Sequence, residues 1–131
     1  MQLSKFTDYA FRTLIYLARN RKNNCIVEEL AEELSISEHH LKKVVNKLAK
    51  TNFIISTKGR NGGLKLGLDP KEINLGEVIK LTEENLNIVE CMLDSSLCQL
   101  MNSGCKLKGI ISNSLDAFIK EMGKYTLQDI L

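Results

Sequence analysis

The chain has 131 residues, of which 44% are hydrophobic and 26% are charged, and its formal net charge is +2. This composition is typical of one small globular domain, or of one domain with an appendage. Neither a signal peptide nor an apolar run of membrane-spanning length is present, so we expect a cytoplasmic protein with no membrane partner. In that reducing compartment, four cysteines favour metal binding or redox sensing over a disulfide framework.

The charge is divided unevenly along the chain. Residues 1–70 hold twelve Lys and Arg against seven Asp and Glu, a net charge of +5, whereas residues 71–131 hold six against nine, a net charge of −3. The basic half is therefore the candidate surface for a polyanion, although solubility alone would also explain such an imbalance.

The first predicted element is a helix over residues 6–18, where apolar residues recur every three or four positions. Asp8 falls in its first turn, where the helix dipole favours a carboxylate whatever else that residue does. Cys25 follows at the end of a polar connector and has no other cysteine near it in the sequence. We interpret Cys25 as a partly buried structural residue.

Two further helices are predicted over residues 27–34 and 38–51, and Ser37 in the short turn between them is a good N-cap. These proportions fit a helix-turn-helix whose second helix reads DNA, and they fit an ordinary helical hairpin equally well.

The stretch that follows decides between the two interpretations. Residues 53–58 and 64–68 are short strand-like runs, joined by a glycine-rich segment with an Asn-Gly hairpin signal. A helix-turn-helix followed by a hairpin is a winged helix. Between Ser37 and Leu66 there are seven Lys or Arg and one Glu, which places the positive charge where a winged helix meets DNA.

Past Pro70 and a short predicted helix over residues 75–81, three of the four cysteines occur with six residues between neighbours. In one continuous helix, successive thiols would lie about 10 Å apart, which suits a buried stripe but not a shared inorganic centre. Turn formers at residues 94–96 and 102–104 favour a loop in which the thiols converge, with the buried stripe and a chance spacing as the alternatives. The three residues are Cys91, Cys98 and Cys105.

The number and softness of these thiols limit the kind of centre. Three thiolates suit an iron-sulfur cluster, zinc or copper(I) rather than magnesium or calcium. Zinc is the weaker choice, because structural zinc sites favour closely spaced cysteine pairs with a fourth Cys or His nearby, and this stretch has neither. Iron-sulfur clusters usually take four cysteines, so in a cluster here some other group, or solvent, would complete the coordination, and the site should be reactive.

One long helix is predicted from residue 106 onward. Its apolar residues step by four, three, four and three, which is typical of a coiled-coil-like seam. A single helix cannot bury such a stripe, so we expect a two-fold dimer, as helix-turn-helix proteins use to reach two DNA half-sites. The seam consists of Ile111, Leu115, Phe118 and Met122, followed by Tyr125.

Motifs along nearly the whole chain resemble the IscR/NsrR family of iron-sulfur winged-helix regulators, and in particular its nitric-oxide-sensing branch. The motifs are residues 1–16, the wing stretch 58–67, and the segments Asn87–Cys91, Cys105–Lys108 and Tyr125–Ile130. The ordered set is far more specific than any one of them. The resemblance implies a dimeric repressor that binds operator DNA and releases it when its cluster is nitrosylated.

The resemblance also implies a ligand set. Cys91, Cys98 and Cys105 would hold the cluster, 4Fe–4S in preference to 2Fe–2S. The fourth ligand would be the helix-one aspartate of the partner subunit, which corresponds to Asp8. In the IscR branch, a histidine three residues past the last cysteine is the fourth ligand, and here that position is Lys108. The IscR assignment is therefore disfavoured.

The resemblance and the charge distribution together indicate which residues contact DNA. Most would contact phosphates, and for each lysine taken singly a solvated surface charge is the alternative. The residues expected at the major groove are Arg12, Ser37, His39, His40, Lys42 and Lys43. Those expected on the wing are Lys58, Arg60 and Asn61.

These inferences combine into a mainly α-helical protein with a small β-hairpin wing and a long C-terminal dimerisation helix. We divide it into a winged helix-turn-helix DNA-binding domain (1–70), a connecting helix and cluster-binding loop (71–105), and a dimerisation helix with a C-terminal tail (106–131). Its partners would be double-stranded operator DNA, a second copy and nitric oxide. A redox or zinc thiol regulator, or an IscR-like regulator of cluster status, is the alternative on the same fold. An enzyme is disfavoured because no nucleotide loop, catalytic triad or carboxylate pair can be assembled.

Overall fold

The computed structural model describes residues 1–131. It confirms the predicted fold class, since six α-helices accompany one antiparallel two-stranded sheet. None of the helices has both the length and the hydropathy needed to span a bilayer. The elements are α1 (Lys5–Arg19), α2 (Val27–Leu34), α3 (Glu38–Ala49), β1 (Ile54–Thr57), β2 (Gly63–Leu66), α4 (Leu75–Thr82), α5 (Glu90–Leu93) and α6 (Leu107–Met122).

The helix-turn-helix is held by its caps and by one buried turn residue. Ser35 ends α2 in the left-handed region with φ of 53°, and the next amide, that of Ile36, donates to the Ala31 carbonyl at 2.9 Å. Ile36 is buried, which holds the turn against the core. Ser37 then caps α3 as predicted, because its Oγ accepts from the His40 amide at 3.3 Å.

The hairpin pairs Ile54 with Leu66 at one end and Thr57 with Gly63 at the other. Its loop has five residues and is closed by the Gly62 amide, which donates to the Gly59 carbonyl at 2.9 Å. The hairpin is therefore confirmed, but the Asn-Gly pair does not form a two-residue turn. The left-handed position is Gly59, with φ of 104°.

One hydrophobic core joins α1, α2, α3, the hairpin and α4. It continues past residue 70, because Ile73 and Val78 belong to the same cluster as the helix-turn-helix residues. Cys25 also lies in this core with 3% of its surface exposed, so it is structural as predicted and more deeply buried than expected. Its carbonyl accepts from the Leu64 amide at 2.7 Å and attaches the α1–α2 connector to the wing.

The C-terminal segment returns to the start of α4. Helix α6 ends at Met122, so Tyr125 is not part of a helical seam, contrary to the prediction. Instead, the Tyr125 carbonyl accepts from the Leu75 amide at 3.0 Å, and Leu127 is completely buried in the core. The turn occurs at Gly123, whose carbonyl accepts from the Asn74 side chain at 2.6 Å.

Candidate metal and DNA-binding sites

The cysteine loop, residues 84–106, consists of short helical turns rather than one helix. Cys91 lies in the four-residue α5, and Cys98 separates two 3-10 turns, Ser95–Leu97 and Gln99–Ser103. The chain then passes through Gly104, with φ of 77°. The predicted turn formers are thus confirmed, and the alternative of a continuous helix with a buried cysteine stripe is wrong.

The three loop cysteines differ physically from Cys25. All four thiols are free, but Cys91, Cys98 and Cys105 are half-buried whereas Cys25 lies in the core. Burial raises the pKa of the Cys25 thiol, and the nearby carboxylate of Glu29 raises it further. Cys25 is therefore poorly suited to act as a thiolate ligand, and the three loop thiols are better suited.

The loop thiols fit a soft metal centre by their chemistry and accessibility, since thiolates are the usual ligands of iron-sulfur clusters. The structure does not gather three Cys, His, Asp or Glu side chains into one ligand group. Convergence of the three thiols therefore stays a prediction. At the position of the IscR-branch histidine, Lys108 instead donates to Ser95 Oγ at 3.2 Å, which ties the start of α6 to the middle of the loop.

Asp8 lies in the first turn of α1, as predicted, and has a partner within its own chain. Arg12 holds the carboxylate with two contacts, Nη2 to Oδ2 at 2.7 Å and Nε to Oδ1 at 3.2 Å. Both side chains are about half exposed. Asp8 and the cysteines form no common site in one chain, and ligation of the partner's cluster by Asp8 stays a prediction.

A second carboxylate at the start of α1 was not identified from the sequence. Glu83, which follows α4, accepts from the Ser4 amide at 2.8 Å and from Thr7 Oγ1 at 2.5 Å. Partial burial raises the pKa of Glu83, but these hydrogen bonds outweigh it and leave that pKa below its ordinary value. In the sequence, the one local feature that could have indicated this contact is a carboxylate directly after the polar residue Thr82, at the end of a predicted helix.

Helix α3 presents one face to the core and the other to solvent. The four predicted inner residues, Leu41, Val44, Val45 and Leu48, are all buried. The predicted DNA-contacting residues of this helix are all exposed, namely His39, His40, Lys42 and Lys43. This arrangement is what a recognition helix requires, because packing leaves its basic face free for a groove.

Some of the side chains predicted to contact DNA already have a partner within the chain, and others do not. Lys42 pairs with Glu38 on the preceding turn, in the same way that Arg12 pairs with Asp8. On the wing, Lys58 and Arg60 are exposed and form no ion pair. The wing tip is steadied by Asn24, whose side chain donates to the Asn61 carbonyl at 3.0 Å.

The predicted dimer seam is only partly exposed in the single chain. Phe118 is 39% exposed, whereas Ile111, Leu115 and Met122 are half-buried, and Met122 packs against the core of its own chain. No residue of α6 is fully buried. The helix thus retains an uncovered apolar surface, and the dimer stays a prediction.

Comparison with known families matches residues 3–131 to Rrf2, described as an iron-dependent transcriptional regulator. Two relatives, each named HTH-type transcriptional regulator NsrR, align with the whole chain. The one from Shouchella clausii is 42% identical, and the chain covers 89% of it. The one from Bacillus subtilis is 40% identical, and the chain covers 90% of it. The resemblance found in the motifs is therefore confirmed.

Solved structures support the same fold. CymR, the global cysteine regulator of B. subtilis, is 25% identical with a TM-score of 0.72, over 99% of this chain and 95% of that one. The IscR of T. potens is 20% identical with a TM-score of 0.74, over 99% of this chain and 85% of that one, and this likeness concerns the fold alone. From the family match, the relatives and the winged-helix structure, we conclude that the chain belongs to the Rrf2 family of transcriptional regulators.

Proposed function

We propose that the chain is a dimeric repressor whose affinity for operator DNA depends on an iron-sulfur cluster held by Cys91, Cys98 and Cys105, and that nitric oxide lifts the repression. The observation that carries the proposal is the contrast between these three free, half-buried thiols on one loop and the buried Cys25. The iron dependence attributed to the family and the NsrR relatives support it. A cluster in this loop would supply iron that reacts with nitric oxide.

The loop contributes more than its thiols. Lys106 and Lys108 closely follow the last cysteine, and their positive charge would offset part of the negative charge of a thiolate-bound cluster. No residue of the loop is buried, so its turns can rearrange without opening the core. These properties suit a site that is loaded and emptied in a folded protein.

Asp8 would connect the cluster to DNA through Arg12. In the structure, the Asp8 carboxylate neutralises Arg12, one of the residues predicted to contact DNA. If Asp8 is engaged by the partner subunit's cluster, Arg12 loses this partner and becomes available to a phosphate. Release of Asp8 would restore the ion pair and weaken binding.

The first experiment is a visible absorption spectrum of protein purified without oxygen, followed by DNA binding before and after addition of nitric oxide. The DNA is a duplex selected from a random pool with the parent protein. We expect charge-transfer bands, tight binding, and loss of binding after nitric oxide. Cys98→Ser should lose the bands, whereas the matched control Cys25→Ala should retain them. A colourless protein with stoichiometric zinc would contradict the proposal and support the thiol or zinc regulator.

The role of Asp8 is tested separately with Asp8→Ala. We expect this variant to keep a cluster through its three thiolates and to differ from the parent in DNA affinity or in its response to nitric oxide. Glu77→Ala is the matched control, because Glu77 also pairs with a cation on its own helix, Lys80 at 2.8 Å. If Asp8→Ala behaves like the parent, Asp8 serves only the helix dipole and the ion pair with Arg12 in its own chain.

A further inference from the structure

We propose that Glu83 is a positioning residue that couples the cysteine loop to the first turn of α1. This inference rests on the proposed function, because the signal to be transmitted is the state of the cluster. Glu83 is the last residue before the cysteine loop, and its carboxylate accepts hydrogen bonds from two residues at the start of α1. The two regions are distant in the sequence, since Ser4 and Glu83 are 79 residues apart.

One oxygen of Glu83 makes both contacts. Its Oε1 accepts from the Ser4 amide at 2.8 Å and from Thr7 Oγ1 at 2.5 Å. A carboxylate can only accept, so the Thr7 hydroxyl donates its single proton to Glu83. The Thr7 oxygen then remains as an acceptor for the Ser4 hydroxyl at 3.1 Å, since the Thr82 hydroxyl donates to the Val78 carbonyl at 2.8 Å.

The junction is buried and therefore rigid. Thr7 is completely buried and Thr82 is 2% exposed, and both belong to helices that pack on each other. A buried polar group that loses its partner costs free energy, so these bonds favour one relative position of α1 and α4. Movement of residue 83 must consequently move the start of α1 or break the junction.

The same bonds determine the position of Asp8. Ser4 is the N-cap of α1, and its carbonyl accepts from the Asp8 amide at 3.0 Å, while Thr7 directly precedes Asp8. Glu83 therefore holds both residues that define the backbone before Asp8. Helix α1 in turn packs against α3, which carries the basic DNA face. A displacement at the start of the cysteine loop can thus reach Asp8 and the recognition helix through α1.

The other end of α4 is fixed. Asn74 caps this end and donates to the Gly123 carbonyl at 2.6 Å. A Cβ on Gly76 would lie 3.0 Å from Gly123 Cα, so the backbones cross closely there. Helix α4 is thus fixed to the end of α6 at one terminus and joined through Glu83 to α1 at the other. A displacement at the start of the loop is therefore passed to α1 rather than lost along α4.

The test compares DNA affinity of the cluster-loaded and cluster-free forms in each variant, using the duplex selected with the parent protein. The ratio of the two affinities measures the coupling. Glu83→Ala removes both hydrogen bonds, and we expect the ratio to fall at least about fivefold. Glu83→Gln offers a carbonyl oxygen to the same two donors, so it should restore most of the ratio. Glu84→Ala is the matched control, because Glu84 is exposed and forms no ion pair.

The outcomes separate the inference from the proposed function. A merely structural role for Glu83 would weaken both forms in parallel and leave the ratio unchanged, which would overturn the inference alone. A parent protein whose affinity does not depend on the cluster would overturn the proposed function, and the coupling with it. If Glu83→Ala proves insoluble, Thr7→Val removes one of the two donors at nearly constant volume, and a smaller fall in the same ratio is expected.

Discussion

The two parts of the molecule differ in how they bury their apolar residues. All 24 buried residues except Leu127 lie between Thr7 and Thr82, and none lies in residues 83–126. Exposed large hydrophobic residues show the opposite distribution, since eight of the 14 lie in residues 83–126. The winged helix is therefore stabilised by its own core, whereas the cysteine loop and α6 expose apolar surface that a core would cover.

This difference shows which part can respond to a signal. Residues in a packed core resist displacement, because movement opens cavities and weakens the packing around them. A segment with little buried surface opens at a much lower free energy. The cysteine loop can therefore change conformation while the winged helix stays folded, and in our proposal Glu83 transmits the change.

The largest expected effect tests the difference in burial directly. Leu41 is completely buried, so Leu41→Ala should lower the free energy of unfolding by about 2–5 kcal/mol. Leu97 is 60% exposed, so Leu97→Ala should change the stability of the cluster-free protein by less than about 0.5 kcal/mol. Urea denaturation of both variants measures this. Equal losses of stability would mean that the loop has a core of its own.

The next prediction concerns what covers the exposed apolar surface of α6. Phe118→Asp places a charge on that surface and should weaken a dimer by about a hundredfold or more, since an unpaired buried charge costs several kcal/mol. Ala117→Asp introduces the same charge at an exposed neighbouring position and should have little effect. Sedimentation of both variants measures the association. A fully dimeric Phe118→Asp protein would show that another surface forms the dimer.

The four cysteines should also differ in reactivity, because Cys25 lies in the core and the other three lie in the cysteine loop. Burial raises the pKa of Cys25, so less of it is thiolate at any pH below that pKa, and the core shields it from reagents. In cluster-free protein near pH 8, Cys91, Cys98 and Cys105 should react with a thiol reagent at least about tenfold faster than Cys25. Mass mapping of the labelled peptides measures the rates. Four similar rates would contradict the division.

The smallest expected effect concerns the wing. Lys58→Ala or Arg60→Ala should weaken DNA binding and reduce the slope of log affinity against log salt by about one unit for each phosphate that is no longer neutralised. Lys120→Ala, an exposed cation in the acidic half, is the control and should leave the slope unchanged. Binding isotherms at several salt concentrations measure it. An unchanged slope with altered sequence preference would mark the residue as a base reader instead.

Much of the fold was predictable because the sequence patterns that indicate it involve neighbouring residues. The apolar spacing of α1 and α2, the cap at Ser37 and the turn formers between the cysteines each involve residues a few positions apart. The turns of the cysteine loop were predictable to the same extent, whereas its use as a metal site stays a prediction. The hairpin was predicted, but its turn was not. In the folded wing, the Gly62 backbone lies so close to the Thr57 carbonyl that a Cβ there would be 2.2 Å from its oxygen. The sequence around Asn61 and Gly62 does not show this close approach.

The sequence by itself thus determined the family, the winged helix and the cysteine loop, because periodicity, capping and motif spacing act over short distances. Only the tertiary structure decided that Leu127 completes the core, that Tyr125 leaves the α6 seam, and that Glu83 holds the start of α1. These contacts join residues far apart in the chain, and the partner of each side chain depends on how the helices pack. No local pattern contains that information.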